Sequence, residues 1–216
     1  MRLILVRHAL PHRALGDPAA QAEAEGVNGS GPGLTELGWR QAARVAEALA
    51  GVPLTALYTS PLRRARETAQ PLARARGLVP SVAAGLAEYD AGAGHYIPVH
   101  EMPEADPVAW QRMLAGQLPD YVDAAEFQAR VERAVTEIAD AHPGEATVAC
   151  FAHAGTINVY LAALLGLGRP LTFPLDYTGI TRVTLSRDGR RAVRTVNEIA
   201  HVADLLDPAA VSAGND

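Results

Sequence analysis

The sequence predicts an α/β fold, a mostly parallel central sheet flanked by helices in three layers. Short apolar runs alternate along the chain with amphipathic segments of helical length. Two of those runs, residues 3–6 and 147–151, are apolar almost throughout, as strands buried on both faces of a parallel sheet must be. The 216 residues, 49% of them hydrophobic, show no internal repeat and no linker, so they suit one domain.

Residues 3–6 (Leu-Ile-Leu-Val) make the first strand. Residues 9–33 are rich in Gly, Pro, Asn and Ser and read as a long loop, a kind that often serves function in a compact domain. Thr35 is placed to cap a helix from Glu36 to about residue 50, with Gly51 past its end. Residues 54–58 are the second strand. Ser60-Pro61 reads as an N-cap followed by proline at the first helical position, opening a helix that stops at Gly77. Residues 85–106 show little periodicity. Helices follow at 107–115 and 124–141, the second bounded by Asp123 and by Pro143-Gly144. Residues 147–151 are a buried strand that leads into a helix at 156–165. Residues 181–185 and 192–196 read as strands joined through Asp188-Gly189, a hairpin signal. The domain is expected to span 1–208, with 85–125 a cap or insertion over one end of the sheet and 209–216 a flexible tail.

Composition excludes several function classes. All 19 basic residues are arginine, against 24 acidic ones, for a formal net charge of −5. An acidic chain with no basic block predicts no nucleic-acid partner. Without lysine there is neither a Schiff base nor a P-loop lysine. Arginine alone suffices for phosphate or carboxylate recognition, because its planar fork matches those anions. Most of the arginines, such as Arg40, Arg74, Arg130 and Arg190, read as solvated helix faces and surface positions. The single cysteine, Cys150, excludes an internal disulfide and a cysteine-based zinc site, and its apolar neighbours mark it as a buried strand residue. The N-terminal apolar run is too short for a signal peptide, and nothing approaches the ~20 apolar residues of a membrane span. A cytoplasmic location and no membrane partner are therefore expected.

In open α/β sheets, ligands bind beyond the carboxyl ends of the strands. Arg7-His8 follows the first strand, Thr59-Ser60-Pro61-Leu62-Arg63-Arg64 the second, and Ala152-His153-Ala154-Gly155 the third. One histidine at a strand end is commonly structural. Two, at the ends of neighbouring parallel strands and with arginines beside them, predict an anion site.

The segments Leu5-Val-Arg-His8, Leu34-Thr-Glu-Leu-Gly38, Ser60-Pro-Leu-Arg-Arg-Ala-Arg-Glu-Thr-Ala69 and His153-Ala-Gly155 resemble, in that order, the histidine phosphatase superfamily. Its members include cofactor-dependent phosphoglycerate mutases and many phosphatases. The resemblance implies a phosphoglycerate mutase-like form of the three-layer fold. It implies that His8 is the nucleophile, forming a phosphohistidine, and that Arg7, Arg64 and His153 hold the phosphoryl oxygens. The backbone of Ala154, where the family usually has glycine, remains able to donate there. Arg64, four residues after the serine and just before alanine, fits the family's pocket arginine, with Arg63 a secondary candidate. Glu88, in Leu86-Ala-Glu88, falls where the family places its proton donor; Glu101 and Glu104 are weaker candidates. Neither a cofactor nor a metal is implied. Such roles are chemically coherent: a neutral imidazole can attack phosphorus, and one carboxyl group can serve the leaving alkoxide as acid and then water as base.

The sequence departs from the family after His8. Many members continue with Gly and then Glu-Thr or Gln-Thr, whereas this chain reads Ala9-Leu10-Pro11-His12. His12, Arg13 and Asn28, from the long loop, are candidate replacements for the missing polar contacts. Asn197-Glu-Ile-Ala-His201 resembles a C-terminal stretch of the family's phosphatases, with His201 read as structural. The run Glu88-Tyr-Asp-Ala-Gly-Ala-Gly94 does not resemble the glycerate-binding run of the mutases. The expected activity is therefore that of a metal-independent phosphatase acting on a small-molecule phosphate ester. Phosphoglycerate mutase-type transfer and a non-catalytic phospho-ligand binding module are the alternatives. Asp90, Glu101, Glu104 and Asp106 would favour esters of neutral or cationic alcohols if they face the site. A homodimer is expected only by analogy with relatives.

Overall fold

Side chains alternate across a strand, so Leu3 and Leu5 lie on one face of the sheet and Ile4 and Val6 on the other; all four are buried. The computed structural model describes residues 1–13, 31–91, 96–186 and 188–206. Strands β1 (Arg2–Arg7), β2 (Ala56–Thr59), β3 (Ser81–Val82), β4 (Thr147–Ala152), β5 (Ile180–Leu185) and β6 (Arg191–Glu198) form one sheet in the order β3-β2-β4-β1-β5-β6. The four strands from β3 to β1 run parallel. β5 pairs antiparallel with β1, and β6 antiparallel with β5.

The helices are α1 (Glu36–Ala48), α2 (Arg63–Arg76), α3 (Met102–Ala105), α4 (Pro107–Leu114), α5 (Ala124–Ala141) and α6 (Ala154–Leu165). Val45 of α1 and Leu72 of α2 pack with Ile4, Val6, Ala149 and Phe151 on one face of the sheet. On the other, Phe127, Val131 and Val135 of α5 and Ile157 of α6 pack with Leu3, Leu5, Val148 and Cys150. These are the three layers. α6 is buried nearly all round because it is sandwiched in the second of them. No described helix is long and apolar enough to cross a membrane.

Most boundaries follow from the capping chemistry read in the sequence. Thr35 Oγ1 accepts from Gly38 N at 2.9 Å, Asp123 caps α5 through Glu126 N at 3.0 Å, and Gly77 closes α2 with φ 61°. Within the aperiodic stretch, Pro107, which has no N–H, separates α4 from α3, and Asp106 caps α4 through Ala109 N. Three details differ from expectation. β3 has only two residues, both exposed, and so carries no apolar alternation. α6 starts at Ala154, directly after the strand, rather than at 156. α2 starts at Arg63, with Leu62 in the N-cap position and no side-chain cap. Ser60 does not cap it because its hydroxyl serves the turn itself, accepting from Leu62 N at 3.2 Å.

The parallel ladder continues past the strand ends. His8 N donates to Ala152 O and Ser60 N to Phe151 O, both at 2.9 Å. The residues that follow β1, β2 and β4 are thereby held side by side at one edge of the sheet. Phe151 lies in the central strand and is fully buried. Phe151→Ala should cost about 3–5 kcal/mol, read as a lower denaturant midpoint at unchanged slope. A loss below about 1 kcal/mol would show that this strand does not anchor the core.

Candidate active site

β1 ends at Arg7, and His8 follows it into a buried position, 3% exposed. The His8 Nδ1–H donates to Ala9 O at 2.8 Å. A carbonyl only accepts, so this bond fixes the tautomer and leaves the lone pair on Nε2. Burial, reinforced by Arg64 and then Arg7, holds the imidazole well below the ordinary histidine range. His8 is therefore neutral at neutral pH.

The cations beside it are as deeply placed. Arg7 is 5% exposed and Arg64 2%. Arg7 donates from Nη1 to Leu175 O and lies over the Tyr177 ring, 3.9 Å from its centroid. Arg64 Nη2 reaches both carboxylate oxygens of Asp90, at 2.8 and 3.0 Å, and its guanidinium lies 4.4 Å from the Tyr96 centroid. His153 follows β4, its ring centroid 5.1 Å from that of His8. Its Nε2 and Ser60 Oγ are hydrogen-bonded at 2.7 Å. Ser60 Oγ also accepts from Leu62 N and keeps its own proton to donate; when it donates to His153 Nε2, the ring hydrogen sits on Nδ1, which is then a donor. Burial, then Arg64, His8 and Arg7, keep His153 neutral too. Arg7 Nε, Arg64 Nε and His153 Nδ1 are buried without a hydrogen-bond partner among the described residues. Such groups are costly unless something accepts from them, and an anion at this edge would.

Glu88 comes from the turn after the 3-10 segment Ala84–Leu86 and is 7% exposed. Its Oε2 accepts from Gly155 N at 2.8 Å, in the first turn of α6, and its Oε1 from Tyr89 N at 3.2 Å. A Cβ on Gly155 would stand 2.5 Å from Glu88 Oε1, so any larger residue there would push this carboxyl group from its place. Burial, then the charge of Asp90, push its pKa from 4.5 up to about 7, against the Gly155 N–H and Arg64. Arg7, His8, Arg64, Glu88 and Ala154 all line one cavity of about 560 Å³, whereas His153, fully buried beside His8, is not among its lining residues.

The surroundings explain motif residues that have no chemistry of their own. Thr35 N and Oγ1 both donate to Leu10 O at 3.1 Å. A Cβ on Gly38 would collide with that same carbonyl oxygen. Gln41 Oε1 accepts from Leu10 N at 2.9 Å, and Thr68 Oγ1 accepts from Ala9 N at 2.9 Å while donating to Arg64 O at 2.6 Å. Together these groups clamp the chain just after His8.

Sequence reasoning missed several supports. Ser60 orients His153 instead of capping a helix. Arg130, read as a surface position, donates to Gly85 O at 2.9 Å and Ala87 O at 3.0 Å, bracing the turn that presents Glu88. Thr178 holds φ at 62°, a left-handed conformation that a β-branched residue resists, and its N–H donates to Arg7 O at 3.1 Å. Asn197 braces the same loop through Asp176, with Asp176 N donating to its Oδ1 at 2.9 Å and its Nδ2 to Asp176 Oδ2 at 2.7 Å. Only the resemblance of the Asn197 stretch to the family's phosphatases pointed toward that loop.

The remaining candidates lie elsewhere. Arg63 pairs with Glu67 at 2.7 Å and is not among the residues lining the cavity. Arg13 pairs with Glu101, also at 2.7 Å. Asn28 lies outside the described residues. Cys150 is fully buried, and burial pushes its thiol up to about 12, as befits an inert strand residue. Among the described residues no group of three or more His, Cys, Asp or Glu is disposed to hold a metal ion.

The family model described as histidine phosphatase superfamily (branch 1) matches residues 3–198. The bifunctional protein Rv2228c of Mycobacterium tuberculosis is 31% identical over 208 residues, 93% of this chain and 55% of that protein. The chain thus spans about half the length of that curated relative. Among solved structures, Bacillus stearothermophilus YhfR has a TM-score of 0.72 and 25% identity, covering 93% of this chain and 98% of that one. The mycobacterial glucosyl-3-phosphoglycerate phosphatase Rv2419c, in complex with inorganic phosphate, has a TM-score of 0.72 and 26% identity, covering 94% and 99%.

Glu88 binds its proton more tightly in the folded chain, near pH 7, than in the unfolded one, near pH 4.5. Its contribution to stability is therefore full below the lower value and lost as pH rises through the upper one. Glu88→Gln should match the parent near pH 4.5 and exceed its stability at pH 8, by roughly 1–3 kcal/mol. Equal or lower stability of the variant at pH 8 would refute the raised proton affinity.

Proposed function

The chain belongs to the histidine phosphatase superfamily, and from that premise we propose that it is a metal-independent phosphatase, hydrolysing a small-molecule phosphomonoester through a phosphohistidine on His8. The observation that carries the proposal is the His8 Nδ1–H bond to Ala9 O in a buried, neutral imidazole. It holds Nε2 ready as a nucleophile with no base to deprotonate it.

In this reading Nε2 attacks phosphorus as the ester P–O bond breaks. Arg7, Arg64 and His153 Nδ1 take the phosphoryl oxygens, supplying fixed donors where charge is spread over those oxygens. Protonated Glu88 gives its proton to the departing alkoxide. Its carboxylate then accepts a proton from water as the water oxygen attacks phosphorus and returns the electron pair to Nε2. A pKa near 7 suits a group that must act in both directions. Residues 85–125 act as the cap over the site, since Tyr96, Trp110 and Tyr121 line the cavity. The complete set of reacting groups weighs against a module that only binds phospho-ligands. The acidic groups of the cavity weigh against a mutase for phosphoglycerate.

The purified protein should hydrolyse p-nitrophenyl phosphate in EDTA, and His8→Ala should lower kcat by at least about 10³-fold. Quenched turnover should leave acid-labile, base-stable phosphate on His8. No hydrolysis of that ester or of a wider panel of phosphomonoesters would overturn the proposal. Phosphate binding by calorimetry without turnover would point to the binding module instead.

A further inference from the structure

We infer that the ester this site hydrolyses carries a bulky, uncharged, apolar alcohol; the inference rests on the phosphatase reading above and adds the nature of the leaving group. The cavity holding His8 and Glu88 is about 560 Å³, within the ~300–1,000 Å³ range of pockets that enclose an entire small molecule rather than a phosphoryl group alone. Away from the phosphate-binding groups Ile97, Met102, Trp110, Met113, Phe173 and Leu175 give its wall a large apolar share, interrupted by polar side chains such as His100, Asn158 and Thr172. That wall continues outward to Leu114 and Tyr121, which line the same cavity and are 51% and 71% exposed. Large exposed apolar side chains at the mouth of such a pocket suit a ligand that covers them.

Charge points the same way. The only arginines lining the cavity among the described residues are Arg7 and Arg64, both at the phosphate end. Outside the described residues, 14–30, 92–95 and 207–216 contain no lysine or arginine, and residue 187, in the β5–β6 connection, is an arginine. Asp90 already holds Arg64 through two hydrogen bonds, while Asp106 and Asp176 line the same cavity. A carboxylate or second phosphate on the alcohol would meet these acids with no further arginine among the described lining residues to pair with, and like charges at close range are unfavourable. An uncharged hydrocarbon portion meets no such penalty and gains by leaving water.

The test uses three esters of primary alcohols, so that leaving-group basicity stays comparable: ethyl phosphate, n-hexyl phosphate and 3-phosphoglycerate. Each buried methylene is worth up to about fourfold in kcat/KM, so the four extra methylenes of hexyl phosphate should raise it at least ~20-fold over ethyl phosphate. 3-Phosphoglycerate should do no better than ethyl phosphate. Trp110→Ala should cut the hexyl-to-ethyl ratio at least ~fivefold, with a thermal melt confirming the fold and Met113→Ser giving the same readout if that variant does not fold. Hexyl phosphate within about threefold of ethyl phosphate, or 3-phosphoglycerate as the best of the three, overturns the inference and leaves the phosphatase reading standing. An unchanged ratio in both variants overturns the assignment of this wall. Hydrolysis of none of the three counts against the phosphatase reading itself.

Discussion

The site depends on keeping two guanidinium groups out of water. Arg7 and Arg64 are almost fully buried, and an isolated buried charge is costly. The fold compensates with a carboxylate, a carbonyl and two aromatic faces: Asp90 and Tyr96 for Arg64, Leu175 O and Tyr177 for Arg7. The compensation is incomplete, because the Nε of each has no hydrogen-bond partner among the described residues. Two buried positive charges have a second consequence. Burial comes first in keeping both histidines neutral, and these charges reinforce it by making a further positive charge nearby unfavourable; only a neutral imidazole can act as a nucleophile.

Such an arrangement is useful only if the chain after His8 is fixed. The family's usual polar residues are missing there, and the structure shows how Ala9 and Leu10 are held instead. Their backbone groups bond to side chains from two helices: Thr68 of α2 and Gln41 of α1, with Thr35 at the N-cap of α1. On the other side, the loop containing Thr178 receives the carbonyl of Arg7, and Asn197 holds that loop through Asp176. A left-handed threonine persists only where its surroundings over-determine it, and here the loop also supplies Tyr177 and the Leu175 carbonyl for Arg7.

The sheet was legible because β1 and β4 are continuous apolar runs, and α1 and α5 were legible because Thr35 and Asp123 announce their caps. His8 and His153 could be placed from the rule that function sits beyond strand ends. Glu88 could not: a carboxylate in an aperiodic segment looks solvated, and only the family resemblance singled it out. What escaped was long-range pairing. Ser60 lies 93 residues from His153 in sequence, and a Ser-Pro pair reads equally as a helix cap. Arg130 lies 45 residues from Gly85, on a helix face that a local reading assigns to solvent. Thr178 gave no signal, since β-branched residues argue against the very conformation it adopts.

Asp90 links these parts. It is tied to Arg64 and sits close enough to Glu88 to raise its proton affinity. Burial is the largest of the effects that raise it, Asp90 adds to burial, and the amide of Gly155 and Arg64 itself pull the other way, so Glu88 is poised by opposing forces. In the proposed reaction a phosphoryl dianion arriving at Arg64 adds negative charge beside Glu88 and favours its protonated form. The acid is thus most fully loaded while the ester is bound. Once the alkoxide has taken that proton and the alcohol has left, water can enter, and the same carboxylate, now unprotonated, is the available base. A glutamate at its ordinary pKa would seldom carry the first proton, and one buried without Gly155 and Arg64 would be slow to give it up. In the proposed reaction, the opposing contacts at this carboxyl group are therefore what would let one residue serve both half-reactions.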